Sequence, residues 1–306
     1  MNKIKNNNFY IPLDVPSNKK STYKKNYLSA TKESGNLFLF AGDQKIEHLN
    51  QDFFGLNIPP ECNNPEYLFL IAEKGNVGVF ATQLGLISKY GEDYKDLNYI
   101  VKLNSKTNIV DTELSDPISL FLNTPQEAVE FQKNSKLKIA GLGYTIYLGS
   151  KYEAQMLRQA AQTVFEAHKN GMLAVLWIYP RGKAVTNEKD IKFIEGAAGV
   201  GACLGADFIK VNPPQAESVE ESARILKIAT EAAGRSKVIC AGGKRKYEKE
   251  FLEELYLQLS IGKTSGCAIG RNVYQKDPKY SASFCKAINS LVVESSSLKK
   301  ALKFLK

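Results

Sequence analysis

Short apolar runs rich in β-branched and aromatic residues recur along the chain, and between them lie helix-length segments whose apolar positions return every three to four residues. The runs read as strands over Leu37–Ala41, Val77–Ala81, Tyr99–Leu103, Ile139–Tyr144, Leu173–Tyr179, Asp207–Val211, Lys237–Ala241 and Cys267–Gly270. Helices are cleanest within Lys151–Lys169, Asp190–Leu204, Val219–Ala233 and Tyr247–Ile261. Capping boxes are expected at Ser150 ("SKYE") and Thr124 ("TPQE"), and proline at a first helical position in "TPQE" and "NPEY". Alternating strand and helix points to a parallel α/β sheet, and eight such units in one chain predict a single (β/α)8 TIM barrel over residues 31–306. Residues 1–30 are polar and basic and are expected to form an N-terminal arm, over the barrel bottom or at a subunit contact. A doubly wound open sheet is the competing arrangement, but "FAGDQKIEH" stands where its G-x-G-x-x-G turn would follow the first strand. Residues 105–124 make an unusually long connection after the third strand, either a functional loop or a plain insertion.

One run breaks the pattern. "GADFIKVNPP", residues 205–214, reads as a buried strand and yet carries Lys210. A buried ammonium without a partner is costly, so it is either paired or kept neutral for a purpose. Side chains alternate along a strand, which sets Phe208, Lys210 and Asn212 on one side and leaves Ile209 and Val211 for the helix layer. The same parity groups Val175, Trp177 and Tyr179, then Leu39, Ala41 and Asp43, then Ile100, Lys102 and Asn104. An acid, a phenol and two lysines therefore converge at the carboxyl end of the strands, where barrels of this kind do their chemistry. Each has a plain structural explanation alone: Lys102 can pair with Asp43, and Tyr179 can be a packed ring. His48 reads as structural, and His168, at the end of an amphipathic helix, as a group favoured by the helix dipole. The seventh strand ends in "AGGKR" and the eighth in "AIGRN", giving Gly242, Gly243, Gly270 and Arg271 where such barrels commonly bind phosphate.

Composition narrows the function classes. Of 306 residues 43% are hydrophobic and 24% charged, ordinary for a soluble globular protein. No apolar stretch is long enough to span a membrane and no secretory leader is recognisable, so a cytoplasmic location without membrane contact is expected. Five cysteines without C-x-x-C spacing argue against a disulfide framework or zinc knot, and two histidines against a catalytic zinc site. The net charge of +9 is spread widely and no nucleic-acid motif accompanies it, so a non-catalytic nucleic-acid-binding protein is the remote reading.

"GDQKIEH", "LWIYPRG", "ADFIKVN", "AGGKR" and "AIGRNVYQ" together resemble the archaeal-type class I fructose-bisphosphate aldolases, among the DeoC/LacD/DhnA-like Schiff-base aldolases, from about Leu37 to Gln275. The resemblance implies a metal- and cofactor-independent lyase acting on a sugar phosphate. It implies Lys210 as the Schiff-base lysine, Tyr179 as acid/base, Asp43 as the aspartate after the first strand, and the two glycine turns as a phosphate site. Lys102, Arg181 and Lys45 are further candidates for holding substrate, the last two for a second phosphate. Cleavage of fructose 1,6-bisphosphate is the leading expectation and a sister Schiff-base enzyme the alternative. The fold commonly self-associates, so a homo-oligomer is expected. Many relatives carry glycine soon after the first-strand aspartate, where this chain has "QKIEH", so the distal end of the substrate is expected to be held differently.

Overall fold

The computed structural model describes residues 10–48, 52–109 and 116–305. Eight strands, β1 Leu37–Ala41, β2 Val79–Gln83, β3 Tyr99–Lys102, β4 Ile139–Leu148, β5 Leu173–Pro180, β6 Phe208–Val211, β7 Lys237–Ala241 and β8 Gly266–Ile269, close into a barrel in sequential order. Every adjacent pair is parallel, including β8 with β1. Helices follow the strands at Glu66–Lys74, Pro125–Ser135, Glu153–Lys169, Ile191–Cys203, Val219–Ala232, Glu248–Ser260 and Pro278–Val292. Among the described residues no helix is long and apolar enough to cross a membrane.

The alternation read from sequence separates two cores. Leu39, Ala41, Val79, Ala81, Ile100, Val175, Trp177, Phe208, Ile239 and Ala268 fill the barrel, while Phe38, Phe40, Phe80, Val101, Ile209 and Val211 meet the helices. Each large side chain so buried contributes about 1.5–3 kcal/mol before entropy is charged against it. The helix Lys20–Ala30 joins the inner core through Tyr23 and Tyr27, and the Tyr27 ring stacks on Phe208 at the amino end of β6. Residues 20–30 therefore lie over the barrel bottom; residues 1–9 fall outside the described residues.

A cluster of charge holds this end together. His168 Nδ1 meets Asp14 at 2.8 Å and its Nε2 meets Asp207 at 3.1 Å. Asp207 also accepts from the Ala174 amide at 2.7 Å and from the Tyr23 hydroxyl. Burial alone would lower the imidazole pKa, but the hydrogen bonds and charges of Asp207 and Asp14 override it and raise it to about 9. His168 is thus a clasp between segment, helix and strand, a larger structural role than that of a helix-terminus residue.

Several local expectations are corrected. β2 lies two residues later than expected, and β4 runs on to Leu148, which brings Tyr147 into register with Tyr179. Thr124 does form a capping box with Glu127, whereas Ser150 does not: its hydroxyl turns to the Pro117 carbonyl at 2.6 Å and the helix starts at Glu153. Proline precedes the helix Glu66–Lys74 rather than occupying its first position.

Candidate active site

The strand ends bring Asp43, Lys102, Trp177, Tyr179 and Lys210 to one mouth. Register sets Lys210 beside Trp177, and Gly143 beside both Lys102 and Val175. A Cβ at Gly143 would lie 2.6 Å from the Trp177 ring, so glycine is required for the indole to lie against β4. The indole becomes the floor of the site, with the Lys102 and Lys210 nitrogens over it at 5.0 and 5.6 Å from the ring centroid.

Lys102 donates to Asp43 Oδ2 at 3.2 Å and lies 3.6 Å from Glu47 Oε1. Lys210 is only 3% exposed and, among the described residues, makes no hydrogen bond or ion pair. Burial lowers its pKa from 10.5 to about 8; Asp43 and Glu47 pull it back up, and Lys102 and Arg271 push it further down. Tyr179 lies well above the ordinary phenol range because of burial first and the charges of Glu47 and Asp43 after it, so it holds its proton at neutral pH. Asp43 Oδ1, Trp177 Nε1 and Thr145 Oγ1 are sealed from solvent and lack partners among the described residues. Such atoms cost about 1–3 kcal/mol each, a debt that substrate hydroxyls at this mouth can relieve.

Glu47 was not legible as a site residue. It sits one turn after Asp43 on the short helix Gln44–Glu47, and the i, i+4 spacing in "DQKIE" was the available signal. Ser105 Oγ donates to its Oε1 at 3.2 Å, tying it to the loop after β3. That loop is pinned again where Asn104 Nδ2 reaches the Ser119 and Thr145 carbonyls; residues 110–115 lie outside the described residues.

The two glycine turns stand together at the ends of β7 and β8. Gly243 has φ +67° with open space where a side chain would be, and its N–H is without a partner among the described residues. The expectation for Gly242 needs narrowing: its N–H is already bonded to the Ala268 carbonyl at 3.2 Å. Gly270 precedes the helical turn Arg271–Tyr274 and is crowded by the Ala41 carbonyl and the Gln44 side chain. Arg271 lies 3.5 Å from Asp52, which His48 holds in turn. Asn272, absent from the sequence reading, clamps the β7 turn through the Gly242 and Lys244 carbonyls and the Lys246 amide.

The second-phosphate candidates part company. Arg181 is at the mouth, its guanidinium 5.7 Å from the centroids of both Tyr147 and Tyr179 and paired two-pronged with Glu188. Lys45 does not join it: its ammonium donates to the Asn63 carbonyl at 3.0 Å and covers Phe53, which commits it to the loop beyond β1.

A closed eight-stranded barrel with an unpaired amine at the carboxyl end of its strands suits lyase chemistry through an imine, and the comparisons identify the class as that of the aldolases. Residues 37–276 match the profile of the DeoC/LacD family aldolases. The chain belongs to the DeoC/LacD aldolase family. It is 50% identical over 301 residues, 98% of this chain and 96% of the relative, to the fructose-bisphosphate aldolase/6-deoxy-5-ketofructose 1-phosphate synthase of Methanocaldococcus jannaschii. It is 32% identical over 259 residues, 84% of this chain and 90% of the relative, to the class 1 fructose-bisphosphate aldolase of Thermoproteus tenax. Among solved structures, the fructose-bisphosphate aldolase of Slackia heliotrinireducens superposes with a TM-score of 0.95 at 47% identity, covering 99% of this chain and 96% of that one. An archaeal fructose-1,6-bisphosphate aldolase with its catalytic lysine covalently bound to the carbinolamine intermediate superposes at 0.75 and 28% identity, covering 89% and 99%.

Proposed function

We propose that this aldolase reversibly cleaves fructose 1,6-bisphosphate to dihydroxyacetone phosphate and glyceraldehyde 3-phosphate through an imine on Lys210. The observation that carries the reading is the buried, unpaired Lys210 amine beside a second ammonium. With a pKa of about 8, roughly a tenth of it is neutral at pH 7, against less than a thousandth for an ordinary lysine. The neutral amine adds to the C2 carbonyl, giving a carbinolamine that loses water to a protonated imine. The imine withdraws the electron pair of the C3–C4 bond, the C4 hydroxyl loses its proton and glyceraldehyde 3-phosphate departs. Tyr179, protonated at neutral pH, delivers a proton to C3 of the enamine, and hydrolysis frees dihydroxyacetone phosphate. Asp43, which accepts from Lys102 and whose charge is felt at the Lys210 amine, serves the proton transfers at C2. Gly243 and Arg271 suit one phosphate and Arg181 the other, the latter exchanging Glu188 for substrate.

A second reading is favoured by one comparison: the name of the Methanocaldococcus jannaschii relative also includes 6-deoxy-5-ketofructose 1-phosphate synthase, so aldol transfer to a different acceptor on the same imine is its rival. Incubation with dihydroxyacetone phosphate and borohydride, followed by peptide mass mapping, tests the imine shared by both. A reduced adduct on Lys210 is expected; unmodified protein, or an adduct elsewhere, removes the mechanism. Turnover of fructose 1,6-bisphosphate against that of deoxy acceptors then separates the two.

A further inference from the structure

The far half of a six-carbon substrate needs hydrogen-bond donors of its own, and the order of the barrel rim says where they must be. Going round the closed sheet, the glycine turns after β7 and β8 come first, then the Lys210 amine on β6, then the ends of β5 and β4. A chain with one phosphate at the glycine turns and C2 joined to Lys210 therefore carries its other end towards β5 and β4. Register sets Lys210 beside Trp177 and, two residues further up β5, Tyr179 beside Tyr147 of β4. Backbone to backbone, Tyr147 stands about 10 Å along the rim from Lys210 and about 7 Å higher.

Tyr147 is 2% exposed, yet its hydroxyl has no partner among the described residues and is not sealed away as the Thr145 hydroxyl is. Its phenol faces the mouth, where Glu47 and Asp43 both act on it; burial first and those charges after it hold it well above the ordinary phenol range, so it donates at neutral pH. Neighbouring donors are already engaged. The Gly149 N–H is bonded to Glu153 at 2.6 Å, the Ser150 hydroxyl to the Pro117 carbonyl at 2.6 Å and the Arg181 N–H to the Leu148 carbonyl at 2.8 Å. The Arg181 guanidinium lies 5.7 Å from the ring centroids of both Tyr147 and Tyr179 and gives Nε and Nη2 to Glu188, which leaves Nη1 without a partner among the described residues. Glu188 offsets much of the Arg181 charge, so an anion arriving here needs a second donor, and a phenol in dry surroundings is a strong one.

We propose, resting on the imine and two-phosphate reading above, that Tyr147 is a specificity-determining residue whose hydroxyl donates to the phosphate of the acceptor aldehyde beside Arg181. It thereby selects phosphorylated acceptors over unphosphorylated ones. Two phenols in register on adjacent strands then take different tasks: Tyr179 serves the carbon that gains a proton, and Tyr147 reads the far end of the chain.

The test runs the reaction towards condensation with two acceptors that differ only in the phosphate. Dihydroxyacetone phosphate is combined with glyceraldehyde 3-phosphate or with plain glyceraldehyde, in wild type and in Tyr147→Phe, and borohydride trapping on Lys210 is measured beside each. In Tyr147→Phe the ratio of kcat/KM for the phosphorylated over the plain acceptor is expected to fall about 10- to 100-fold, the usual worth of one hydrogen bond to a charged group, while trapping continues. Tyr147→Leu, which also takes the ring from beside Arg181, is expected to lower the ratio at least as far. An unchanged ratio in a variant that still forms the adduct overturns the proposal even if turnover drops, because damage to the fold strikes both acceptors alike. A wild-type chain that forms the adduct but does not prefer the phosphorylated acceptor removes the distal phosphate and the proposal together. One that forms no adduct on Lys210 refutes the imine reading itself, and the proposal falls with it.

Discussion

The side-chain nitrogens of Lys102 and Lys210 share the face of one indole, that of Trp177, and among the described residues only Lys102 of the two has carboxylates within ion-pair distance. The asymmetry assigns different tasks to two like residues. Lys102 is held in an ion pair with Asp43, and Lys210 bears the cost of its burial and the repulsion of its neighbour, offset only in part by the charges of Asp43 and Glu47.

That cost makes Lys210 a stability liability. Its pKa is lower in the folded chain, about 8, than the ordinary 10.5, so folding opposes protonation; the penalty is complete below pH 8 and fades as the pH rises towards 10.5. The difference corresponds to on the order of 3 kcal/mol at pH 7. Lys210→Met is expected to abolish turnover and borohydride trapping while raising the thermal midpoint by several degrees at pH 7, with the gain shrinking as the pH rises from 8 to 10.5. A lowered midpoint at pH 7 would show that the amine is held by a stabilising partner.

Imine formation is expected to follow the neutral amine. The rate of borohydride trapping should rise about tenfold per pH unit below pH 8 and level off above it. Lys102→Met removes a cation and leaves Asp43 and Glu47 to act on Lys210, so the inflection should move upward by about one unit or more. Trapping rates measured from pH 5.5 to 10 in both proteins decide this, and an unshifted inflection would separate Lys102 from the tuning of the nucleophile.

Tyr179→Phe is expected to leave adduct formation on Lys210 intact and to slow turnover by about 10²- to 10⁴-fold, the usual worth of a placed proton donor. Single-turnover trapping beside steady-state rates reads both steps, and wild-type turnover in the variant would remove the phenol from the mechanism.

His168 provides a stability signature at the opposite end of the barrel. Its folded pKa of about 9 exceeds the ordinary 6.5, so its contribution is complete below pH 6.5 and is lost as the pH rises through 9. The shift corresponds to on the order of 3 kcal/mol. His168→Gln should unfold at lower denaturant than wild type at pH 6 and approach it at pH 10. A gap independent of pH would assign the loss to packing alone.

The barrel and its mouth were legible because strand parity is a local property. Phe208, Lys210 and Asn212 must share a face wherever β6 lies, and the same holds for Ile100 with Lys102. What escaped depended on partners distant in sequence. Asn272 looks like any helix-start asparagine until the β7 turn is brought against it, and Glu47 like a surface acid until Lys102 arrives from β3. The end of β4 was misjudged because Gly149 punctuates the chain later than the apolar run appeared to stop; only pairing with the long β5 extends it to Leu148. Ser150 was misread because its hydroxyl found a longer-range acceptor at Pro117.

The clasp at the barrel bottom and the amine at its top are fastened to one four-residue strand. Asp207, gripped by His168 and Tyr23, immediately precedes β6, and Lys210 follows three residues later. Trimming the leading segment through Ala30 would take Tyr23 from Asp207 and Asp14 from His168, so a shortened chain would betray itself first as a wandering amine inside an intact shell, well before the shell itself gave way.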